Sequence, residues 1–528
     1  MSGRRSVFAV RGLATAFASI PVLASVHVAS AQSPDEPIVA THHAVTIGGR
    51  TLRYTARAGR IPIRDNEAGD IHGQMFFVSY TLDRAAGEAA RPLTFVWNGG
   101  PGSNAALVHL IGFGPKRIAP SPGAKADDGS RWIVQPNPGT WLAETDLVFV
   151  DPIGTGYSRP TRAEYGPEFY QTRGDAESVA EFIRVYRTRF ERLDSPLFLA
   201  GESYGVTRAA GVAEALAVRG TDVRGVILLG LALPLGSTPR AMRTALGLPT
   251  LAVAAFANRK LEPQLQRDLD ATIKQAEAWA VTDYASALER RDRLSDVERD
   301  SVVRGLARFT GLDASLVDRR SLTVDRMQLG NYLLRREGKF IGQYDSRLIG
   351  PLDTTAALYD PTKDPSLQNL LDDVMVLRYL RDELGYKSDL RYQGPFGGGY
   401  PPPTTFRGDW MSVRWNRPAS SSASESDSAD TARGAVRDST PPQPLRNAMR
   451  MNPTLRVLTG CGIYDLVCDY YGNVWAARNL EAPVQRNVIA HSYPGGHAMY
   501  TDPQAHAQLA RDVAQFIRDA SASPSARR

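Results

Sequence analysis

Short apolar runs and stretches of helical periodicity alternate along this chain. Val45 to Tyr54 alternates apolar and polar residues around Gly48-Gly49, which predicts a hairpin. Gln74–Tyr80 predicts a third strand. The sheet is expected to continue through 93–97, 146–150, 197–200, 224–230, 455–459 and 487–492, with 197–200 an apolar run that reads as a buried strand. Gly174 to Leu193, just before one of these runs, has the period of an amphipathic helix. Between 236 and 400 the pattern changes: Ala241–Asn258, Pro263–Arg290, Asp296–Phe309 and Asp325–Glu337 all read as helices. The alternation predicts an α/β class, a mostly parallel central sheet flanked by helices, with a helical cap inserted after a sheet strand. A cap over the C-terminal ends of the strands would shape access to a site and exclude water.

Composition refines this picture. The chain has 528 residues and 43% apolar content, enough for one large domain plus an insertion. Half of the formal net charge of +6 lies in the first 31 residues, as Arg4, Arg5 and Arg11 with no acid. No basic stripe interleaved with aromatics and no phosphate-binding loop is present, so nucleic acid is not an expected partner. Residues 1–31 have a charged start, a small apolar core and the small-x-small site Ala29-Ser30-Ala31, and predict an export signal to the periplasm or the exterior. No later run is apolar for some twenty residues, so no integral membrane span is expected. Residues 32–235 and 451–520 would form the two parts of the core and 236–400 the cap. A loop over 401–450 would hold a Ser/Ala/Asp/Pro-rich linker at 419–444, and 521–528 a disordered tail.

The candidate chemistry centres on Gly201-Glu202-Ser203-Tyr204-Gly205. An apolar strand precedes it and a helix follows, the context of a nucleophile elbow. The turn is so sharp that a Cβ at either glycine would strike a neighbour, and the serine Oγ points up from the sheet. A serine needs a histidine base and a carboxylate that holds the imidazole. Histidines after the serine are His491, His497 and His506. His506 reads as a surface position on a terminal helix, and His491 as a strand residue. His497 sits in the tight loop Pro494-Gly495-Gly496-His497 and is favoured, with His491 as the alternative. Asp465 and Asp469 follow the strand near 455–459, and both are candidates for the acid.

These residues resemble a known family. Trp97-Asn98-Gly99-Gly100-Pro101-Gly102, Asn137-Pro138-Gly139-Thr140-Trp141, the strand Asp146–Ser158, Gly201–Gly205, Asp465 to Asn473 and Gly495-Gly496-His497 are similar, in order, to the motifs of the serine carboxypeptidases, the carboxypeptidase Y-like branch of the α/β-hydrolase fold. The chain resembles an exported, bacterial-type member. The resemblance implies Asp465 as the acid of a Ser203–His497–Asp465 triad. It implies an oxyanion hole from the N–H groups of Gly100 and Tyr204, and binding of the substrate's terminal carboxylate by Asn98, the Gly99 N–H and Glu202. Such a glutamate must be protonated to donate, so its pKa should be raised and acidic conditions favoured. The expected partner is a peptide, hydrolysed at its C-terminus without metal or cofactor; the oligomeric state is left open. One departure stands out. The family's second glutamate falls at Gly112, with Lys116 or Arg117 as possible cationic substitutes or a plain solvated pair. An esterase or acyltransferase on the same triad is therefore an alternative, and an inactive binding protein a second. Glu202 could also be structural, paired with Arg208. Cys461 and Cys468 flank Asp465 and could form a bridge or leave a free thiol.

Overall fold

The computed structural model describes residues 37–522, except 86, 122–131, 232–234, 236–237, 353–362, 369, 372 and 395–442. The export signal and residues 419–442 of the expected linker lie outside the described residues.

Among the described residues the main sheet has ten strands, nine of them in one row: β1 (Val39–Ile47), β2 (Arg50–Arg64), β3 (Ile71–Leu82), β4 (Leu93–Trp97), β5 (Asp146–Val150), β6 (Leu197–Glu202), β7 (Val223–Leu229), β8 (Arg456–Gly462) and β9 (Val488–Tyr493). Their spatial order is β1-β2-β3-β5-β4-β6-β7-β8-β9, with the short strand Arg159–Pro160 pairing on β3. The first three strands are antiparallel, as is the β3–β5 pair; from β5 to β9 every pairing is parallel. β4, β5 and β6 are buried at every position, as their continuous apolar runs require. Side chains alternate between the two faces: Phe77, Phe95 and Leu199 enter one apolar cluster, and Phe76, Val96 and Ala200 the other. Helices α1 (Thr172–Arg189) and α2 (Tyr204–Val218) cover the first face.

The segment after β7 is largely helical: α3 (Arg240–Ala245), α4 (Leu248–Ala257), α5 (Leu269–Trp279), α6 (Ala285–Glu289), α7 (Asp296–Thr310) and α8 (Arg326–Tyr332). The single helix expected over Ala241–Asn258 is two, parted at Leu246-Gly247 ahead of Pro249, which fits only the first turn of a helix. The helix α7 is bounded by a Ser295/Glu298 capping box and by Gly311 in the left-handed region at φ 68°. These helices share their own apolar core, which reaches the main body through Leu466.

Two expected boundaries differ. Residues 373–394, assigned to the cap, include α9 (Asp373–Arg378) and bury Tyr379, Leu384, Tyr386 and Tyr392 in the core of the main sheet. Their aromatic side chains pack on Phe76 and Tyr157, a match that periodicity alone does not reveal. The expected loop over 401–450 contains α10 (Pro444–Met451), which starts on a proline and buries Leu445, Ala448 and Met449 beside α2. After β8, α11 (Tyr470–Arg478) follows, and α12 (Pro503–Ala522) closes the second face, extending two residues into the expected tail. Among the described residues no helix is long and apolar enough to cross a membrane.

Candidate active site

The strand β6 ends and α2 begins within one residue. Ser203 carries the turn at φ 56°, ψ −130°, a region that an L-residue occupies only under constraint. The constraint is visible on both sides. A Cβ on Gly201 would lie 2.0 Å from the Gly205 carbonyl oxygen, and one on Gly205 would lie 2.9 Å from the Asn98 carbonyl oxygen. The indole of Trp97 donates to the Gly205 carbonyl at 2.9 Å, fastening the elbow to the end of β4.

The loop after β4 lies directly on this turn. A Cβ at Gly99 would meet the Tyr204 nitrogen at 2.5 Å and the Ser203 Cβ at 2.8 Å, so only glycine permits the approach. Gly100 takes φ +100°, and neither its N–H nor that of Gly99 donates a hydrogen bond within the described residues. Tyr204 opens α2, so its N–H belongs to the positive end of the helix dipole. Asn98 is buried and oriented by three contacts: Oδ1 accepts from the Val108 N–H at 3.1 Å, Nδ2 donates to Glu202 Oε2 at 3.0 Å, and its carbonyl accepts from Arg208 at 2.7 Å.

Across the sheet, the loops after β8 and β9 bring Asp465 and His497 together. His497 Nδ1 lies 2.7 Å from Asp465 Oδ2, and both side chains are buried. Asp465 Oδ1 accepts the Val467 N–H at 2.7 Å. Burial alone would lower the His497 pKa, but the charge and hydrogen bond of Asp465, joined by the charge of Glu202, outweigh it and hold the imidazole above its ordinary value. Among the described residues His497 Nε2 is buried without a hydrogen-bond partner, and the Ser203 hydroxyl makes no bond to it. The expected Ser203–His497 hydrogen bond is therefore not closed. The backbone of the insertion supports both loops. The carbonyl of Gln343 accepts from the Leu466 N–H at 3.0 Å, and that of the next residue, Tyr344, accepts from the His497 N–H at 2.6 Å.

The alternative residues lie elsewhere. His491 is partly exposed on β9, 4.0 Å from Asp512. Asp469 is half-buried at the N-terminal boundary of α11, and its carboxyl is pushed up to about 6 by desolvation. His506 is on the predicted helix but not on the surface: it is buried, donates to the Gly112 carbonyl at 2.8 Å, and burial lowers its pKa to about 4. A disulfide joins Cys461 and Cys468 with Cα atoms 6.2 Å apart.

Glu202 is 2% exposed and has no cation paired to it among the described residues. The Arg208 partner considered for it is engaged elsewhere: Nε contacts both Asp175 oxygens at 2.9 Å. Glu202 Oε2 accepts from Asn98 and, at 2.5 Å, from the Tyr500 hydroxyl. Desolvation raises the Glu202 pKa to about 6, against the opposing influence of His497, Tyr500 and Asn98. Lys116 is committed to Glu383 at 2.5 Å. Sequence reasoning singled out neither Tyr500 nor Asp175 nor the carbonyls of Gln343 and Tyr344.

Residues 57–276 match the family model of the serine carboxypeptidases. The pheromone-processing carboxypeptidase KEX1 of Saccharomyces cerevisiae is 32% identical over 157 residues, 28% of this chain and 20% of that protein. The same-named protein of Yarrowia lipolytica is 32% identical over 179 residues, 33% of this chain and 26% of that protein. The chain thus spans about a fifth to a quarter of the length of these curated relatives. They are fungal and do not support the bacterial-type subdivision. The crystal structure of the prohormone-processing carboxypeptidase KEX1 from Saccharomyces cerevisiae superposes with a TM-score of 0.51 at 15% identity, covering 88% of this chain and 92% of that one. The strand order and this likeness show an α/β-hydrolase fold.

Proposed function

We propose that the chain is an exported serine-type carboxypeptidase, acting in the periplasm or outside the cell, that releases C-terminal residues from peptides through an acyl-enzyme. Ser203 Oγ attacks the scissile carbonyl, and His497 Nε2 takes its proton. Asp465 holds the imidazole with Nδ1–H inward, which leaves the Nε2 lone pair as the base. The N–H groups of Gly100 and Tyr204 hold the oxyanion; losing one such donor costs on the order of 3 kcal/mol of transition-state stabilisation. His497 then protonates the leaving amine and activates the water that frees the acyl group. The observation that carries the carboxypeptidase reading is Glu202: a buried carboxyl next to the nucleophile, without a paired cation among the described residues, whose raised pKa favours the neutral form. In that form it donates to a terminal carboxylate, together with Asn98 and the Gly99 N–H. The same arrangement favours acidic conditions.

The glycine at 112 supports a second reading, an esterase or acyltransferase on the same triad. One assay separates the two. A blocked dipeptide with a free carboxylate, its C-terminal amide and its ester are compared at pH 5. Preferential cleavage of the free acid over the amide supports the carboxypeptidase. Turnover of the ester alone overturns it. Labelling by a fluorophosphonate that is lost in Ser203→Ala reports the nucleophile and separates both from an inactive binding protein.

A further inference from the structure

Tyr500 lies three residues after His497, in the turn Met499–Thr501, with 1% of its surface exposed. Its ring packs edge-on against Phe113 at 5.0 Å, and Phe113 stacks on Trp141 at 3.8 Å, so the phenol is held by a rigid aromatic row. A Cβ added at Gly112 would touch the same ring at 3.5 Å. The ring thus borders the position where the resembled family carries its second acid. At its far end the hydroxyl donates to Glu202 Oε2, the oxygen that also accepts from Asn98 Nδ2.

Two donors on one carboxyl oxygen have a chemical consequence. An oxygen that accepts both bonds is the carbonyl oxygen of the neutral acid, so the acid proton resides on the other oxygen. We propose that Tyr500 is a specificity-determining positioning residue: its hydroxyl, with the Asn98 amide, commits Oε2 of Glu202 as an acceptor, so that Oε1 carries the proton and presents it to the terminal carboxylate of a peptide. This rests on the reading of Glu202 as the carboxylate-binding group. Burial and the neighbouring Glu202 charge hold the phenol well above its ordinary range, so it remains a neutral donor throughout the working pH. A second carboxyl at position 112 would titrate with Glu202; a phenol does not. The titratable groups acting on Glu202 are then His497, Tyr500 and Asp465.

The test compares the full chain with Tyr500→Phe, which keeps the ring and removes the donor. The readouts are kcat and KM for a blocked dipeptide acid and its methyl ester from pH 4 to 9. The acid-to-ester ratio of kcat/KM falls about ten-fold at the acidic end, through KM for the acid, the scale of one hydrogen bond to a binding group. The alkaline limb of the acid substrate moves to higher pH, because a donor that stabilised the ionised carboxylate is gone. Tyr500→Gln, which returns a donor without the ring, recovers part of the ratio. An unchanged ratio and limb, or an equal fall for both substrates, overturns the proposal. Glu202→Gln in the same assay separates the two failures. If it keeps the wild-type alkaline limb, the carboxylate reading fails and the role of Tyr500 falls with it. If it removes that limb while Tyr500→Phe changes nothing, only the role of Tyr500 fails.

Discussion

His497 Nδ1 and Asp465 Oδ2 stand 2.7 Å apart with both side chains buried, although 32 residues separate them in sequence. The contact fixes the imidazole with its proton toward the acid and leaves Nε2 without a partner among the described residues. Ser203→Ala, His497→Ala and Asp465→Asn should each lower kcat by about 10⁴-fold or more, and the double and triple variants should lose little further, because on the proposed mechanism the three groups act as one unit. Steady-state kinetics on an ester substrate, with circular dichroism to verify folding, checks this. Additive losses would show that the residues do not work together.

On the proposed carboxypeptidase mechanism two protonation states must coexist for peptide cleavage, and they pull in opposite directions with pH. His497 is needed neutral; its pKa is raised, so activity is lost as pH falls through that value. Glu202 is needed protonated, with a pKa of about 6, so peptide binding is lost as pH rises through that value. The peptide profile of kcat/KM should be bell-shaped with its maximum between those two values, whereas ester hydrolysis, which needs only neutral His497, should rise to a plateau. Glu202→Gln keeps a donor without a titration and should flatten the alkaline limb for peptide alone. Parallel profiles for the two substrates in the wild type would exclude this account.

The elbow was legible because its geometry leaves the sequence no freedom: Gly201, Gly205 and Gly99 are places where a Cβ meets backbone at 2.0 to 2.9 Å. The parallel strands were legible for a similar reason, since burial on both faces demands an unbroken apolar run. What escaped depends on partners distant in the chain. Tyr500 reads as an ordinary core aromatic until Glu202, 298 residues earlier, is set beside it. His506 reads as a polar surface position until the Gly112 carbonyl is found against its ring. The carbonyls of Gln343 and Tyr344 act through backbone, which carries no residue-specific signal. Residues 373–394 escaped because Phe76 and Tyr157, on which Tyr386 and Tyr392 pack, lie far earlier in the chain.

Arg208 is the buried hinge between α1, α2 and the loop that carries Asn98. It is 2% exposed, meets both Asp175 oxygens, and donates to the Asn98 carbonyl. Arg208→Gln leaves the Asp175 charge buried without its cation. The expected loss of stability is about 3–5 kcal/mol, the usual result of breaking a buried pair from one side. Urea unfolding with a common m-value measures it. A loss below 1 kcal/mol would show that Asp175 finds another partner or water.

The loop of Asp465 is held twice, and the two restraints should separate experimentally. The first is the Cys461–Cys468 disulfide, which closes the short segment around Asp465, with Asn473 Nδ2 2.9 Å from Cys461 Sγ. The second is the insertion: Gln343 accepts from Leu466, Tyr464 accepts from Ser346, and Arg326 of α8 donates to the carbonyls of Leu466 and Val467 at 3.3 Å. On the chain-entropy account, removing a disulfide from so short a loop costs roughly 2–3 kcal/mol. Cys461→Ala with Cys468→Ala should therefore lower the melting temperature clearly. The insertion still holds Asp465 against His497, so kcat should fall less than about ten-fold, one hydrogen bond's worth of misplacement. Arg326→Ala alone should likewise be mild. The three substitutions combined should cost more kcat than the product of the separate effects, because residues that restrain one loop are coupled. Thermal melts and ester kinetics on the four proteins complete the cycle. A strictly multiplicative loss would mean that the disulfide and the insertion do not share the positioning of Asp465.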